Sequence, residues 1–354
     1  MAALTTQSAA TTPTPSRRRP GLARRREAGA GWLFTAPALV LVLLFIALPV
    51  VMALWVSITD WRGRGSPFEA GVPVVGLDNY TDLLAGGGLP TQDLGTALRN
   101  NFWYVLLVVP TQTVVALLLA SAVNNRLLRG RGFFRTAFYF PSVTSSVAIT
   151  VVFLFLFSAS GAVNQVLSWL GINGPNWFAD PDGVLHLLLG VVGIDSAPGL
   201  LADHGLLGIS WWDWLAGPSV AMTALILLAI FTTSGTFMLL FLAALQNIAG
   251  EVSEAATMDG ANAWQRFVYV TVPMLRPTLF TVLTLGLVGT WQVFDQIYTG
   301  TQGGPAKTTI TPAYLSYTTS FVNGQWGQGA AIAFILFAII VVLTLVQRAV
   351  LKER

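Results

Sequence analysis

Runs of about twenty consecutive apolar residues recur along this chain, and each is long enough to cross the roughly 30 Å hydrocarbon core of a bilayer as a helix. They lie at 32–58, 101–122, 133–158, 219–245, 275–297 and 329–346, which predicts an all-α integral membrane protein with six transmembrane helices. Charged residues make up only 10% of the 354, while apolar residues make up 54%. An ordinary soluble domain carries roughly 25% charged residues. Pro37, Pro49, Pro110 and Pro141 fall inside the runs; spans tolerate proline where neighbouring groups satisfy the freed carbonyls. A shorter apolar run at 186–192, flanked by Gly, Asp and Pro, reads as an external surface element or as a re-entrant segment.

Residues 1–28 have a different composition, Thr/Ser/Ala/Pro and then two arginine triplets, and read as a disordered tail. A secretory signal is the rival, but the following run is long and lacks a small-residue cleavage site. The expected organisation is this tail, a first span with its external loop (29–96), a five-helix core (97–348) and a short C-terminal segment (349–354). With the N-terminus inside, fifteen of the 19 basic residues fall on the cytosolic side. External segments hold only Arg62, Arg64, Arg99 and Lys307, and the stretch 159–218 has five aspartates and no Lys or Arg. The positive-inside rule therefore places both termini in the cytosol. Trp211, Trp212 and Trp214, just before the fourth run, suit a membrane interface belt; substrate stacking is the alternative.

Several chemistries have no carrier here. The chain has no cysteine and two histidines, so neither disulfides nor a zinc-type cluster is expected. Nothing suggests nucleic-acid binding, catalytic residues or a cofactor held by this chain. A Gly-x-x-x-x-Gly-Lys-Ser/Thr loop that would cradle nucleotide phosphates is missing.

One polar, helix-prone stretch separates the fourth and fifth runs, within 244–277. Leu245, Ile248 and Val252 recur at helical spacing. Ser253 is placed to cap a helix that Glu254, Ala255 and Ala256 would favour, without the acidic partner of a capping box. Gly260, after Asp259 and before Ala261, permits a turn or a close approach. Trp264, Phe267, Val268 and Val272 form a second apolar stripe before Pro273 and Pro277. Such a hairpin either docks a cytosolic partner or rests on the lipid.

The run Glu254-Ala-Ala-Thr-Met-Asp259-Gly260-Ala261, with Phe267, Pro273 and Pro277, resembles the EAA loop of permease subunits of ATP-binding-cassette (ABC) importers. Ala249-Gly250 departs from the family, where many relatives have a proline nearby. Leu242 to Ile248, Phe294 to Tyr298, Thr301 to Pro305 and Trp326 to Ala331 resemble the same family in the same order, as does the loop from Gly161 through Asn176-Trp177-Phe178. The likeness covers about 97–347 and is greatest to permeases of the maltose and glycerol-phosphate importers; 182–218 looks longer than their usual connection.

This resemblance implies a type I importer permease fold and alternating access, with Glu254, Ala255, Ala256, Asp259, Gly260 and Ala261 coupling to an ATPase. It implies a second permease with its own EAA loop, two ATP-binding subunits that carry ATP and Mg, an extracytoplasmic solute-binding protein and a carbohydrate cargo. It also implies residence in a bacterial plasma (inner) membrane. A polyamine, amino acid or phosphate ester is the alternative cargo, though no basic residue stands at pore depth to favour phosphate. An ion-coupled secondary transporter is the alternative class; its inverted repeats are not evident.

Polar groups at membrane depth usually face a cavity or a protein partner. Asp295, with Trp291, Gln292 and Gln296, is the expected substrate path, Trp291 and Asp295 sharing a helix face four residues apart. A helix–helix contact or an outer-interface position would explain Asp295 equally. Thr144, Ser145, Ser146 and Thr150 either line the path or serve helix packing.

Overall fold

A computed structural model describes residues 21–351 apart from 126, 127, 195 and 198, with backbone alone for 21–28 and 351. Residues 1–20 of the expected tail, Arg126, Asp195 and the C-terminal residues 352–354 lie outside the described residues. The chain divides into two units after Ala53. The first holds α1 (Gly21–Val42), a π turn at Leu43–Ala47 and the opening of α2 (Leu48–Ser57). Pro49 supplies no N–H for the carbonyl four residues before it, and the π turn falls at that point. α1 begins at Gly21, inside the segment expected to be unstructured, because Leu-Ala-Arg-Arg-Arg-Glu-Ala is a run of good helix formers.

The second unit opens with the rest of α2, followed by α3 (Asp78–Leu84) and α4 (Leu89–Asn124). α4 runs unbroken through position 97, so the expected boundary there is no structural boundary. Gln92, Asp93, Thr96 and Arg99 lower the hydropathy without interrupting the helix. Next come α5 (Arg131–Val143) and α6 (Ser146–Leu156), bent by 100° at Thr144-Ser145. The third span is therefore broken, three residues beyond Pro141. At the break Thr144 is extended, with ψ 147°.

Outside the bundle lie α7 (Ala162–Trp169), α8 (Val184–Val191), α9 (Gly199–Asp203), the antiparallel pair β1 (Gly205–Leu206) and β2 (Ile209–Ser210), and α10 (Trp211–Trp214). The small hairpin is the one departure from an all-helical chain among the described residues, apart from isolated bridges. Trp212 and Trp214 knit this segment together: the Trp212 ring stacks on His186, and Trp214 Nε1 donates to the Leu206 carbonyl. Trp103 Nε1 of α4 donates to the Trp214 carbonyl at 2.9 Å. Only Trp211 of the three is left exposed.

α11 (Val220–Gln246) packs along α4 and forms the centre of the bundle. Lipid tails are as apolar as leucine, so close backbone approach rather than water exclusion holds such helices together. Small residues make that approach possible: Ala116 and Ala120 of α4 and Ala221 and Ala224 of α11 are fully buried. Gly235 does the same against α5, since a Cβ there would lie 2.3 Å from the Phe138 carbonyl oxygen.

Beyond α11 come α12 (Gly250–Met258), α13 (Ala263–Arg266), a π turn at Phe267–Thr271 and α14 (Val272–Met274). A 70° bend then leads into α15 (Arg276–Trp291). α16 (Asp295–Gly300), α17 (Pro312–Tyr317) and α18 (Trp326–Leu351) complete the chain. Among the described residues, four helices are long and apolar enough to cross a membrane, and counting each bent pair as one span gives up to six.

Candidate functional site

The fifth span stops short of its apolar run. α15 ends at Trp291, and Gln292–Phe294 form a break before α16. Breaking a helix inside a bundle frees carbonyls that must be satisfied. Asn101 Nδ2 of α4 donates to the Trp291 carbonyl at 3.3 Å, and Thr311 Oγ1 donates to the Val293 carbonyl at 3.1 Å. Both donors are buried.

The break corrects the expected Trp291–Asp295 face, because the two residues belong to different helices. Trp291 is 6% exposed and packs with Val105, Val109, Leu336 and Ile340. Asp295, Gln292 and Gln296 line a cavity of about 350 Å³ whose other walls come from α4, α11 and α15. The Asp295 carboxylate makes no hydrogen bond or ion pair among the described residues.

A second cavity of about 290 Å³ lies at the break of the third span, lined by Ser142, Thr144, Ser146, Thr232, Thr233 and Thr236 among others. The two cavities share Thr233, Phe237 and Gln296, so they adjoin and together make up a trough that reaches from one helix break to the other. Thr144 therefore lines it; Ser145 is exposed and lines neither part. Thr150 is buried, with its hydroxyl bonded to the Ser146 carbonyl.

Gln112 of α4 was missed by sequence reasoning. It is fully buried, accepts from Thr233 Oγ1 at 2.5 Å through Oε1, and lines the larger cavity. A glutamine inside the apolar stretch 101–122, and the run Thr232-Thr233-Ser234-Gly235-Thr236 in the fourth, were the available signals. Gln112 Nε2, Ser142 Oγ and Ser146 Oγ are buried with no hydrogen-bond partner among the described residues. Buried polar atoms seldom go unpaired, and these three belong to residues that line the trough. An aromatic group adjoins it: Phe294 stacks on Tyr298 at 5.5 Å, and Tyr317 meets both edge-on.

The polar hairpin follows α11. Ala261 N–H donates to the Ala256 carbonyl and Gly260 N–H to the Thr257 carbonyl, each at 3.0 Å, which closes α12 with a Schellman motif. That motif needs a left-handed residue, and Gly260 has φ +79°. Asn262 and Gln265 then form a reciprocal capping box that opens α13. Ser253, the expected cap, instead lies inside α12, and its carbonyl accepts from Thr257 Oγ1. Glu254, Ala255, Asp259 and Gly260 are exposed, while Ala256 and Ala261 are half-buried. Of the second stripe, Phe267 and Val272 pack against the bundle, but Trp264 is 70% exposed. The hairpin thus has a face seated on the spans and a face left exposed.

Among the described residues, four continuous and two bent helices of membrane-spanning character, a polar trough between the breaks at Thr144-Ser145 and Gln292–Phe294, and an exposed hairpin joined to the same helices fit a polytopic transport protein. Residues 112–353 match the family described as binding-protein-dependent transport system inner membrane component, and the chain belongs to that family. It is 32% identical to the lactose transport system permease protein LacF of Rhizobium radiobacter, covering 92% of this chain and 94% of that one. It is 30% identical to the arabinooligosaccharides transport system permease protein AraP of Bacillus subtilis, covering 90% of this chain and 87% of that one. It is 29% identical to the trehalose/maltose transport system permease protein MalF of Thermococcus litoralis, covering 93% and 96%. Its fold is similar to that of a chain in a bacterial alginate ABC transporter, solved in complex with an alginate pentasaccharide-bound periplasmic protein. The TM-score there is 0.67 at 17% identity, covering 95% of this chain and 99% of that one.

Proposed function

We propose that this chain is the permease subunit of an ATP-driven, binding-protein-dependent importer and forms half of the pathway for a carbohydrate. The observation that carries the cargo reading is the trough between the two helix breaks. Its hydroxyl and amide groups, three of them with unpaired atoms, suit a solute rich in hydroxyls. The relatives named for lactose, arabinooligosaccharides and trehalose/maltose support the same cargo class.

In this reading an external binding protein delivers the solute, and two ATP-binding subunits hold ATP and Mg. A second permease with its own EAA-type loop supplies the other half of the pathway. The exposed face of α12 and α13, with Glu254 and Asp259, docks on an ATP-binding subunit, and both termini lie in the cytosol of a bacterial inner membrane. The seated face joins α11 to α15, so movement of the docked subunit reaches the bends of the bundle. The unpaired Asp295 carboxylate favours a second cargo, a polyamine, for which a negative group in the path would serve as counter-charge.

The test is reconstitution of the whole complex in proteoliposomes with its cognate binding protein. ATP-dependent uptake of a neutral oligosaccharide is expected, and none by this chain alone. A binding protein that takes di- or polyamines and rejects sugars overturns the carbohydrate reading, and uptake by the single chain without ATP overturns the ABC reading.

A further inference from the structure

The external segment 182–218 supplies no residue to the trough or the hairpin, yet it is tied closely to the spans. One face of α8 is covered. The His186 ring stacks on Trp212 with centroids 4.4 Å apart, and Leu185 lies over Gly217, where a Cβ would meet Leu185 Cγ at 2.9 Å. The opposite face is bare. Leu187, Leu188 and Val191 share it by helical spacing, and Leu188 is 59% and Val191 87% exposed. Val192 and Ile194 continue the apolar surface beyond the helix end.

Two backbone bonds set the position of this face. Val184 N–H donates to the Pro218 carbonyl at 2.9 Å, and Leu185 N–H to the Ala216 carbonyl at 3.1 Å. The start of α8 is thereby fixed beside the first turn of α11, which is a membrane span. Trp211, exposed and nine residues upstream of Val220, where that span starts, has the amphipathic ring that suits headgroup level.

We propose that α8 lies in the outer interface of the bilayer with its Leu187–Leu188–Val191 face against lipid acyl chains. An eight-residue helix is about 12 Å long, too short to cross, so it lies along the surface. The segment has no Lys or Arg to draw it to anionic headgroups, which makes the contact one of apolar burial. Lipid is favoured over a protein partner by continuity, since the face begins where α11 enters the membrane. The added length of the connection then acts as a second attachment of the external surface to the membrane, independent of which solute is carried.

The chain contains no cysteine, so single nitroxide labels can be placed directly. Leu188→Cys and Val191→Cys, with Asp203→Cys for comparison, are labelled in the full-length chain within its complex in phosphatidylcholine vesicles. Collision with oxygen, which concentrates in lipid, is compared with collision with a water-soluble nickel chelate. At 188 and 191 the oxygen-to-nickel ratio is expected to rise well above that at 203. Labels at 188 and 191 that the nickel chelate reaches as freely as at 203 overturn the proposal by placing the face in water. Labels shielded from both reagents overturn it in favour of a protein partner. Val192→Cys replaces Leu188→Cys if that variant fails to insert.

Discussion

Arg266 Nη1 donates a hydrogen bond to Thr257 Oγ1 at 2.5 Å, tying the second arm of the polar hairpin to the first across the Gly260 turn. Thr257 is exposed and Arg266 half-buried, and the contact itself lies at the surface, so it contributes little to overall stability but fixes the angle between α12 and α13. A double-mutant cycle of Arg266→Ala and Thr257→Val is expected to give about 0.5–1.5 kcal/mol of coupling. Binding-protein-stimulated ATPase activity of the assembled complex should fall in both single variants, with normal membrane insertion. Unchanged stimulation in both would show that the angle is set elsewhere.

Gly260 acts through its backbone rather than through space. A Cβ there would meet nothing within 4 Å, but φ is +79°. Gly260→Ala is therefore expected to cost about 1–2 kcal/mol by forcing a left-handed side-chain-bearing residue. Gly260→Asn, which tolerates that region better, should recover most of the lost coupling. ATP hydrolysis measured with and without transport separates the two variants, and equal loss in both would point to a side-chain clash with a partner instead.

Trp291 and Asp295, four residues apart in sequence, should separate by assay. Trp291→Ala empties a packed site and is expected to cost about 3–5 kcal/mol of stability, seen as lost complex or a lowered unfolding midpoint. Trp291→Phe should be tolerated, since the indole Nε1 has no partner among the described residues. Asp295→Ala should leave assembly intact. A charged hydrogen bond to solute is worth about 1.5–3 kcal/mol, roughly a ten- to hundredfold rise in half-saturating solute. Uptake across a concentration series reads this, and an unchanged curve removes Asp295 from the path.

Asn100 straps the loop after α16 to α4. Its Nδ2 donates to the carbonyls of Lys307 at 2.9 Å and Ile310 at 3.0 Å, and it is buried. Asn100→Ala leaves those carbonyls without their donor and is expected to cost about 1–3 kcal/mol. Nearby, Lys307 pairs with Asp93 at 2.6 Å in a partly exposed site, and Lys307→Ala should cost under about 1 kcal/mol. Thermal unfolding of the purified protein ranks the two; the reverse order would reject the strap.

Single cysteines at positions 254 and 203 check the orientation. Asp203→Cys should react with a membrane-impermeant maleimide in intact cells, and Glu254→Cys only after permeabilisation. External labelling at 254 would invert the topology and remove the hairpin from the ATPase side.

Much of the outline was legible from residue order alone. Apolar length marked the spans, and Gly260 marked the break in the hairpin because a left-handed turn needs a residue without a side chain. The capping box at Asn262 and Gln265 was also written locally, as Asn-x-x-Gln, though Ser253 drew the attention. The helix breaks were not local. Thr144-Ser145 and Gln292–Phe294 lie within apolar runs that would continue as helix in isolation. The second break persists because Asn101 and Thr311, distant in sequence, take its freed carbonyls. That break turns Trp291 into the packing cluster and leaves Asp295 in the trough, undoing the shared face that four-residue spacing implied. Hydropathy and local propensity thus determined which segments enter the membrane and where the hairpin turns. Only the packed bundle decided where two spans bend and which polar groups meet, because the cost of a broken helix is met by donors the local sequence does not contain.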